Sequence, residues 1–309
     1  MGPGDLHAVV LAYGAGDEHV PLVDSLVAAG VPAPQVTLVH NPSREPADPA
    51  VPPGGRLIRM SRNVGYGAAV NAGLRAALDD GARLVLVLTH DTRLRAGTLD
   101  ALLAAAERAP RVGVLGPALW SRRDDRPWSF GAVGPPWEWP SHRVEPPETD
   151  GTGVADCDWV DGCAMLVRRE VLDQAGLFEP RYFMYFEEPD LCLRARRAGW
   201  RVGVVVDAPA EQSPGVHRRR GAYVYLDTRN GLEFARRLGG APLMRTRARV
   251  HLARCRRLAK WYVKAGRDPR VRREVRDEVA PTLAGVVDFA RRRWGAPPAW
   301  LPGLGDVET

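Results

Sequence analysis

Short apolar runs recurring between helix-length segments constrain the fold of this chain more than any other feature. The runs are residues 7–12 (HAVVLA), 35–40 (QVTLVH), 56–59 (RLIR) and 84–88 (LVLVL). Each is too short for a buried helix and rich in branched aliphatic residues, so each reads as a buried strand. Between them, residues 17–29 place Val20, Val23, Leu26 and Val27 at helical spacing, and residues 63–78 pass from a glycine-rich loop into a helix. Strands alternating with helices imply an α/β fold: a mostly parallel sheet with crossover helices on both faces. Ligands of such sheets sit at the carboxyl ends of the strands. Tyr13, His40, Asn41, Asn63 and Asp91 all fall at or just past strand ends.

The pattern continues with a helix at 97–108, a strand at 112–115, a last strand at 202–206 and a helix at 223–238. Residues 120–153 differ: Trp128, Trp137 and Trp139 stand among prolines without periodicity, which predicts a long irregular loop with a binding role. From Pro242 onward two basic helices with thin apolar faces are expected, joined near 266–269. Leu252, Leu258, Trp261, Tyr262, Val279, Leu283, Val286, Val287 and Phe289 would form those faces.

Charge is unevenly placed. Residues 245–294 hold 16 Lys/Arg against 5 Asp/Glu, so the net charge of +6 belongs to a basic segment on a slightly acidic body. Packing within the chain or in a homodimer is the first reading of those helices, an anionic membrane surface the second. Nucleic acid comes last, because aromatics for base stacking are sparse there. No run is apolar enough to span a membrane and residues 1–10 lack a signal-peptide pattern, so the expected location is the cytoplasm or the inner membrane face. The four cysteines form no CxxC pair and are expected to be reduced packing residues.

Residues 158–202 combine an aromatic turn (FMYF), a carboxylate cluster (Glu187, Glu188, Asp190) and an arginine-rich helix. Acids in a first helical turn stabilise it through the helix dipole, and Pro189 suits the same turn. Aromatic walls beside a carboxylate also raise its pKa, as acid–base catalysis requires. Capping and catalysis both remain open from this stretch alone.

The ordered blocks AYG (12–14), VHNPS (39–43), RNVGYGAAVNAG (62–73), LTHDT (88–92) and DGCAMLVRREVLDQAGLFEPRYFMYFEEPDLCLRARRAG (161–199) resemble the family 2 glycosyltransferases, within them the rhamnosyltransferase-like branch. The likeness spans roughly residues 7–237. It implies a GT-A (Rossmann-like) fold over 1–240, with a nucleotide-binding part to about 117, an acceptor and catalytic part from 118, and a basic helical extension over 241–309. The implied reaction is inverting, metal-dependent transfer of a sugar from a dTDP, UDP or GDP donor to an acceptor hydroxyl. That hydroxyl would belong to a natural-product scaffold, a lipid-linked sugar or a glycan. A catalytically idle sugar-nucleotide-binding module of the same fold is the alternative.

The resemblance also implies roles. Ala12, Tyr13, His40, Asn41, Asn63, Gly65, Tyr66, Gly67 and Asn71 would bind the nucleotide, and Asp91, with His90, would hold Mg²⁺ or Mn²⁺. Glu188 falls where the family's general base stands, one methylene longer than the usual aspartate, and Glu187 would orient it. Trp159, Asp161 and Asp190 would serve the sugar or acceptor, Asp190 also capping its helix. His217 and Arg229 would contact the diphosphate, and Gln212 stands where the family tends to place a histidine near the metal.

Overall fold

The computed structural model describes residues 2–14, 17–43, 49–51, 53–134, 141–212, 220–265 and 268–301. They form two compact units, Met1–Glu179 with Glu187–Pro214, and Pro180–Phe186 with Gly215–Thr309. The division precedes the compositional change at 240, because the helix opening at Arg220 packs along the C-terminal helix.

The first unit runs β1 (Leu6–Tyr13), α1 (Val20–Ala28), β2 (Val36–Asn41), β3 (Arg56–Arg59), α2 (Tyr66–Asp79), β4 (Leu84–Thr89), β5 (Arg93–Leu94), α3 (Thr98–Arg108) and β6 (Val112–Trp120). It continues with β7 (Pro127–Ser129), β8 (Ala132–Val133), β9 (Ser141–His142), β10 (Val154–Asp156), β11 (Ala164–Arg168), α4 (Arg169–Ala175), α5 (Glu187–Arg197) and β12 (Arg201–Glu211). The main sheet has the order β10-β12-β6-β11-β4-β1-β2-β3. Strands β4, β1, β2 and β3 are mutually parallel.

Side chains alternate across a strand, so each buried run supplies two cores. Val9 and Leu11 of β1 pack with Ala69, Val70 and Leu74 of α2, Val171 of α4 and Leu191 of α5. Ala8 and Val10 pack on the other face with Leu22 and Leu26 of α1 and Leu99 and Leu102 of α3. Helices thus cover both faces, as the alternation predicts. Fully burying one such aliphatic side chain is worth about 1.5–3 kcal/mol.

Strand β11 was not expected. It lies between β4 and β6 and is antiparallel to both. The reversal positions the site: residues preceding an antiparallel strand arrive at the rim where its parallel neighbours end. Thr89 N–H donates to the Cys163 carbonyl at 3.0 Å there. β12 is parallel to β6 and ends on the same rim, at Glu211. The segment expected to be irregular contains β7, β8 and β9; Trp137 and Trp139 lie outside the described residues.

The second unit holds α6 (Arg220–Ala265), broken at Gly240 (φ 71°, ψ −170°), and α7 (Pro269–Ala290), capped by Asp268. Its interior is part apolar, where Phe183, Ala222, Tyr225, Leu226 and Leu301 pack together, and part polar. Arg247 and Asp227 form a buried pair at 3.0 Å, and His251 and Cys255 are buried as well. Leu252, Trp261, Tyr262, Leu283 and Val287 are exposed instead.

Residues 180–186 also belong to this unit, and Phe183, Tyr185 and Phe186 take positive φ of 65°, 70° and 78°. Such backbone costs roughly 1–3 kcal/mol per bulky residue and persists only where its surroundings hold it. Asn230 does so. Its Nδ2 donates to the carbonyls of Tyr182 (2.7 Å), Met184 (2.8 Å) and Tyr185 (3.2 Å). Arg229 donates to the Tyr182 carbonyl at 3.1 Å and to the Gly295 carbonyl at 2.7 Å. With 0% of its surface exposed, its guanidinium has nothing to offer a diphosphate, so that expected role is corrected to a staple. Asn230→Ala removes a shared donor from three carbonyls, of which Tyr182 keeps Arg229 and the Met184 N–H, and is expected to cost about 1–3 kcal/mol, lowering Tm by roughly 2–8 °C. Thermal unfolding checks this; a shift within about 1 °C would contradict the stapling role.

Candidate active site

The rim of the first unit gathers the ends of β1, β2, β4 and β12 with the start of β11. At β2, Asn41 Nδ2 donates to Asn63 Oδ1 at 2.8 Å, and Asn41 Oδ1 accepts from Val64 N–H at 3.0 Å. Asn63 Oδ1 also accepts from Gly65 N–H at 3.0 Å. Gly65 has a φ of 85°, which only glycine takes without strain. The two asparagines therefore shape the loop opening α2. His40 Nε2 lies 3.2 Å from the Gly14 carbonyl, and Ala12 pairs with His40 across the sheet. The Tyr13 hydroxyl is buried and has no hydrogen-bond partner among the described residues. An orphaned donor at a strand end is what a ligand's polar group would satisfy.

Two expected nucleotide residues face the interior instead. Asn71 is buried, donating to the Phe178 carbonyl at 2.8 Å and accepting from Phe178 N–H at 3.0 Å. Gly67 packs against the same residue, where an added Cβ would lie 3.2 Å from Phe178 Cβ. Both anchor residue 178 to α2. Tyr66 leaves the nucleotide loop as well, its hydroxyl donating to the Gly162 carbonyl at 2.5 Å.

Gly162 connects Tyr66 to the carboxylates. Its N–H donates to Glu188 Oε1 at 3.3 Å. A Cβ at 162 would fall 2.6 Å from that oxygen and 2.7 Å from the Tyr66 hydroxyl, so only glycine admits the close approach. Glu188 is half-buried. Burial, reinforced by the negative charge of Asp161, pushes its pKa up to about 7, although its own and the Gly162 backbone N–H groups pull the other way. A half-buried carboxylate titrating near neutrality is suited to general-base work. Glu187 is only 2% exposed and packs over Gly67, and Asp190 is fully buried. Asp190 accepts from Arg194 Nε at 2.6 Å, and Arg194 also donates to the carbonyls of Ala175, Gly176 and Leu177. Burial removes Asp190 from the expected contact with sugar or acceptor, and through Arg194 it fastens the end of α4 to α5.

Asp91 follows β4 on the rim. Thr89 Oγ1 donates to its Oδ1 at 2.6 Å, and Gln212 Nε2 donates to its Oδ2 at 3.0 Å. Gln212 follows β12 and also accepts from Trp128 Nε1 at 3.0 Å through its carbonyl. Among the described residues no group of three or more His, Cys, Asp or Glu is placed to hold an ion. His90, expected as a second ligand, lies 3.6 Å from Glu18 instead. The lone carboxylate still fits a divalent ion: each oxygen keeps a free lone pair, and Mg²⁺ or Mn²⁺ accepts one carboxylate with phosphate and water oxygens. Thr89 and Gln212 orient Asp91 as outer-shell groups orient a ligand.

Asp161 completes the rim. Its Oδ2 accepts from Ser129 Oγ at 2.6 Å and lies 3.6 Å from His142 Nδ1. Burial pushes its carboxyl above the usual range, against the pull of His142 and Ser129. Trp159 is largely buried and its ring meets His142 edge-on at 6.4 Å. Ser129, His142 and Trp128 carry no sequence signal beyond the tryptophan content of their segment. His217 lies outside the described residues.

A mostly parallel α/β sheet with one reversed central strand, its rim carrying Asp91, Asp161 and Glu188, is the architecture of a GT-A glycosyltransferase. The family model "Glycosyl transferase family 2" matches residues 8–176, and the chain belongs to that family. It is 33% identical over 227 residues to the N-acetylglucosaminyl-diphospho-decaprenol L-rhamnosyltransferase of Mycobacterium tuberculosis, covering 63% of this chain and 71% of that protein. It is 29% identical over 182 residues to the low-salt glycan biosynthesis hexosyltransferase Agl10 of Haloferax volcanii, covering 54% and 56%. The mannosyltransferase PcManGT of Pyrobaculum calidifontis, solved in complex with GDP-Man and Mn²⁺, shares the fold at a TM-score of 0.50 and 16% identity, over 93% of this chain and 88% of that one. The match to the crystal structure of GalNAc-T7 with UDP, GalNAc and Mn²⁺ has a TM-score of 0.48 and 11% identity, over 72% of this chain and about half (47%) of that one.

Proposed function

We propose that the chain transfers a sugar, with inversion, from a nucleoside diphosphate to a hydroxyl of a lipid-linked sugar. The observation that carries this reading is Glu188, half-buried on the rim and held by Gly162 N–H. Its carboxylate takes the proton of the acceptor hydroxyl as that oxygen attacks C1 from the face opposite the diphosphate. A divalent ion on Asp91 would offset charge developing on the leaving diphosphate. Asn41, Asn63 and the orphaned Tyr13 hydroxyl sit where the nucleoside would lie. The lipid-linked acceptor is supported by the 33% identical relative, whose name specifies a decaprenol diphosphate.

Thermal shift against UDP, dTDP and GDP, with and without Mn²⁺, tests donor binding. One of them is expected to raise Tm only with the ion, because a ligand that binds only the folded state stabilises it. No shift with any of the three would contradict the reading.

Membrane contact through the second unit is part of the proposal. Residues 241–265 contain eight Lys/Arg and no acid. Their exposed surface sets Arg256, Arg257, Lys260 and Lys264 beside Trp261 (42% exposed) and Val263 (80%). A cationic helix with exposed aromatic and aliphatic groups suits an anionic bilayer surface. No helix among the described residues is long and apolar enough to cross the bilayer. In flotation assays the protein is expected to rise with vesicles containing anionic lipid and to remain below with neutral ones. Equal recovery from both would contradict the electrostatic contact.

A further inference from the structure

Ser129 and His142 stand beside Asp161, and neither belongs to a recognisable motif. Ser129 ends β7 and is fully buried. Its Oγ lies 2.6 Å from Asp161 Oδ2, 3.2 Å from Gly131 N and 3.0 Å from His142 Nδ1. A hydroxyl has one proton and two lone pairs. An ionised carboxylate only accepts and a peptide N–H only donates, so Ser129 donates to Asp161 and accepts from Gly131. The third bond must then run from His142 Nδ1–H to the remaining lone pair of Ser129. Neutral His142 consequently carries its proton on Nδ1 and leaves Nε2 as a bare acceptor.

The surroundings indicate what that acceptor faces. His142 pairs with Ala132 in the β8–β9 hairpin, and Ala132 also bridges to Trp159. Its ring meets Trp128 edge-on at 5.4 Å and Trp159 edge-on at 6.4 Å. The side chain is 35% exposed, and no partner is found for Nε2 among the described residues. Asp161, the residue before Gly162, joins this cluster to the Gly162–Glu188 contact. Convergent polar groups among aromatic rings are the composition of a small-molecule subsite, and a sugar presents both apolar C–H faces and hydroxyls to one.

We infer that His142, fixed as its Nδ1–H tautomer by Ser129 and Asp161, accepts a hydrogen bond at Nε2 from one hydroxyl of the transferred or the accepting sugar and so selects for it. The inference rests on the glycosyl-transfer reading. It makes His142 a specificity residue and Ser129 a positioning residue acting through it.

Two measurements test it. In ¹⁵N-histidine-labelled protein the His142 signal, assigned with His142→Phe, is expected to show the Nδ1–H tautomer, and Ser129→Ala to give a mixture. The Nε2–H tautomer in the native chain would overturn the relay. The second compares kcat/KM for intact sugars with monodeoxy analogues of donor and of acceptor, in the native enzyme and in His142→Phe, which keeps an aromatic ring between the tryptophans. One deletion is expected to cost the native enzyme about tenfold and to cost His142→Phe nothing; the side on which it falls identifies the sugar. If an active native enzyme and His142→Phe show the same penalty for every analogue, the inference fails while the glycosyl-transfer reading stands. A native protein that turns over no sugar nucleotide would overturn that reading and the hydroxyl role with it, leaving the tautomer result to decide the relay alone.

Discussion

Glu188→Gln is expected to lower kcat by about 10³-fold while leaving donor affinity within about twofold, because a positioned base contributes roughly 10²–10⁴. The amide keeps the length and shape of the side chain and loses only the ability to take a proton. A kcat within about tenfold of the native enzyme would remove Glu188 from the base role. The same substitution has a signature in stability. Burial raises the folded-state pKa of Glu188 from 4.5 to about 7, so folding disfavours its charged form. The contribution of Glu188 is fully present below the unfolded value and is lost as pH rises through about 7. Glu188→Gln should therefore match the native protein in Tm at acid pH and exceed it at alkaline pH. The opposite order would show that the carboxylate is stabilised, not strained, in its charged form.

Asp91→Ala is expected to abolish the Mn²⁺-dependent part of nucleoside diphosphate binding and to lower kcat/KM by at least about 10²-fold. Among the described residues no group of three or more His, Cys, Asp or Glu is placed to hold the ion in its stead. The loss should appear as the disappearance of the Mn²⁺-dependent Tm shift, not as a general fall in Tm. Asp91 is surface-linked through Thr89 and Gln212, and neither partner is left buried without water when it is truncated. Equal nucleotide affinity in the native and variant proteins, with and without EDTA, would place the ion elsewhere.

The strands of the nucleotide half were legible because each is a continuous aliphatic run buried on both faces. β11 was not, because its five residues run directly into the helical spacing of α4 and resemble the start of one longer helix. Reading the rim depended on strand ends, and Asn41, Asn63 and Asp91 do lie there. Asn71 and Arg229 differ from their expected roles for one shared reason. Burial is invisible in a polar residue type, and each side chain serves the chain's own backbone: Phe178 for the first, Tyr182 for the second. Ser129 and His142 were silent because a short hairpin, not periodicity, brings them to Asp161. In the basic helices Arg247 is buried against Asp227 while Trp261 and Tyr262 are exposed, a reversal that amphipathic spacing does not reveal.

The pH dependence of kcat/KM tests the central claim most directly. With the donor and ion fixed, activity should rise along an acid limb with an apparent pKa of about 7, the value that burial and Asp161 give Glu188. The residual activity of Glu188→Gln should lack that limb. A limb at the ordinary glutamate value of 4.5, or the same limb persisting in Glu188→Gln, would contradict Glu188 as the general base.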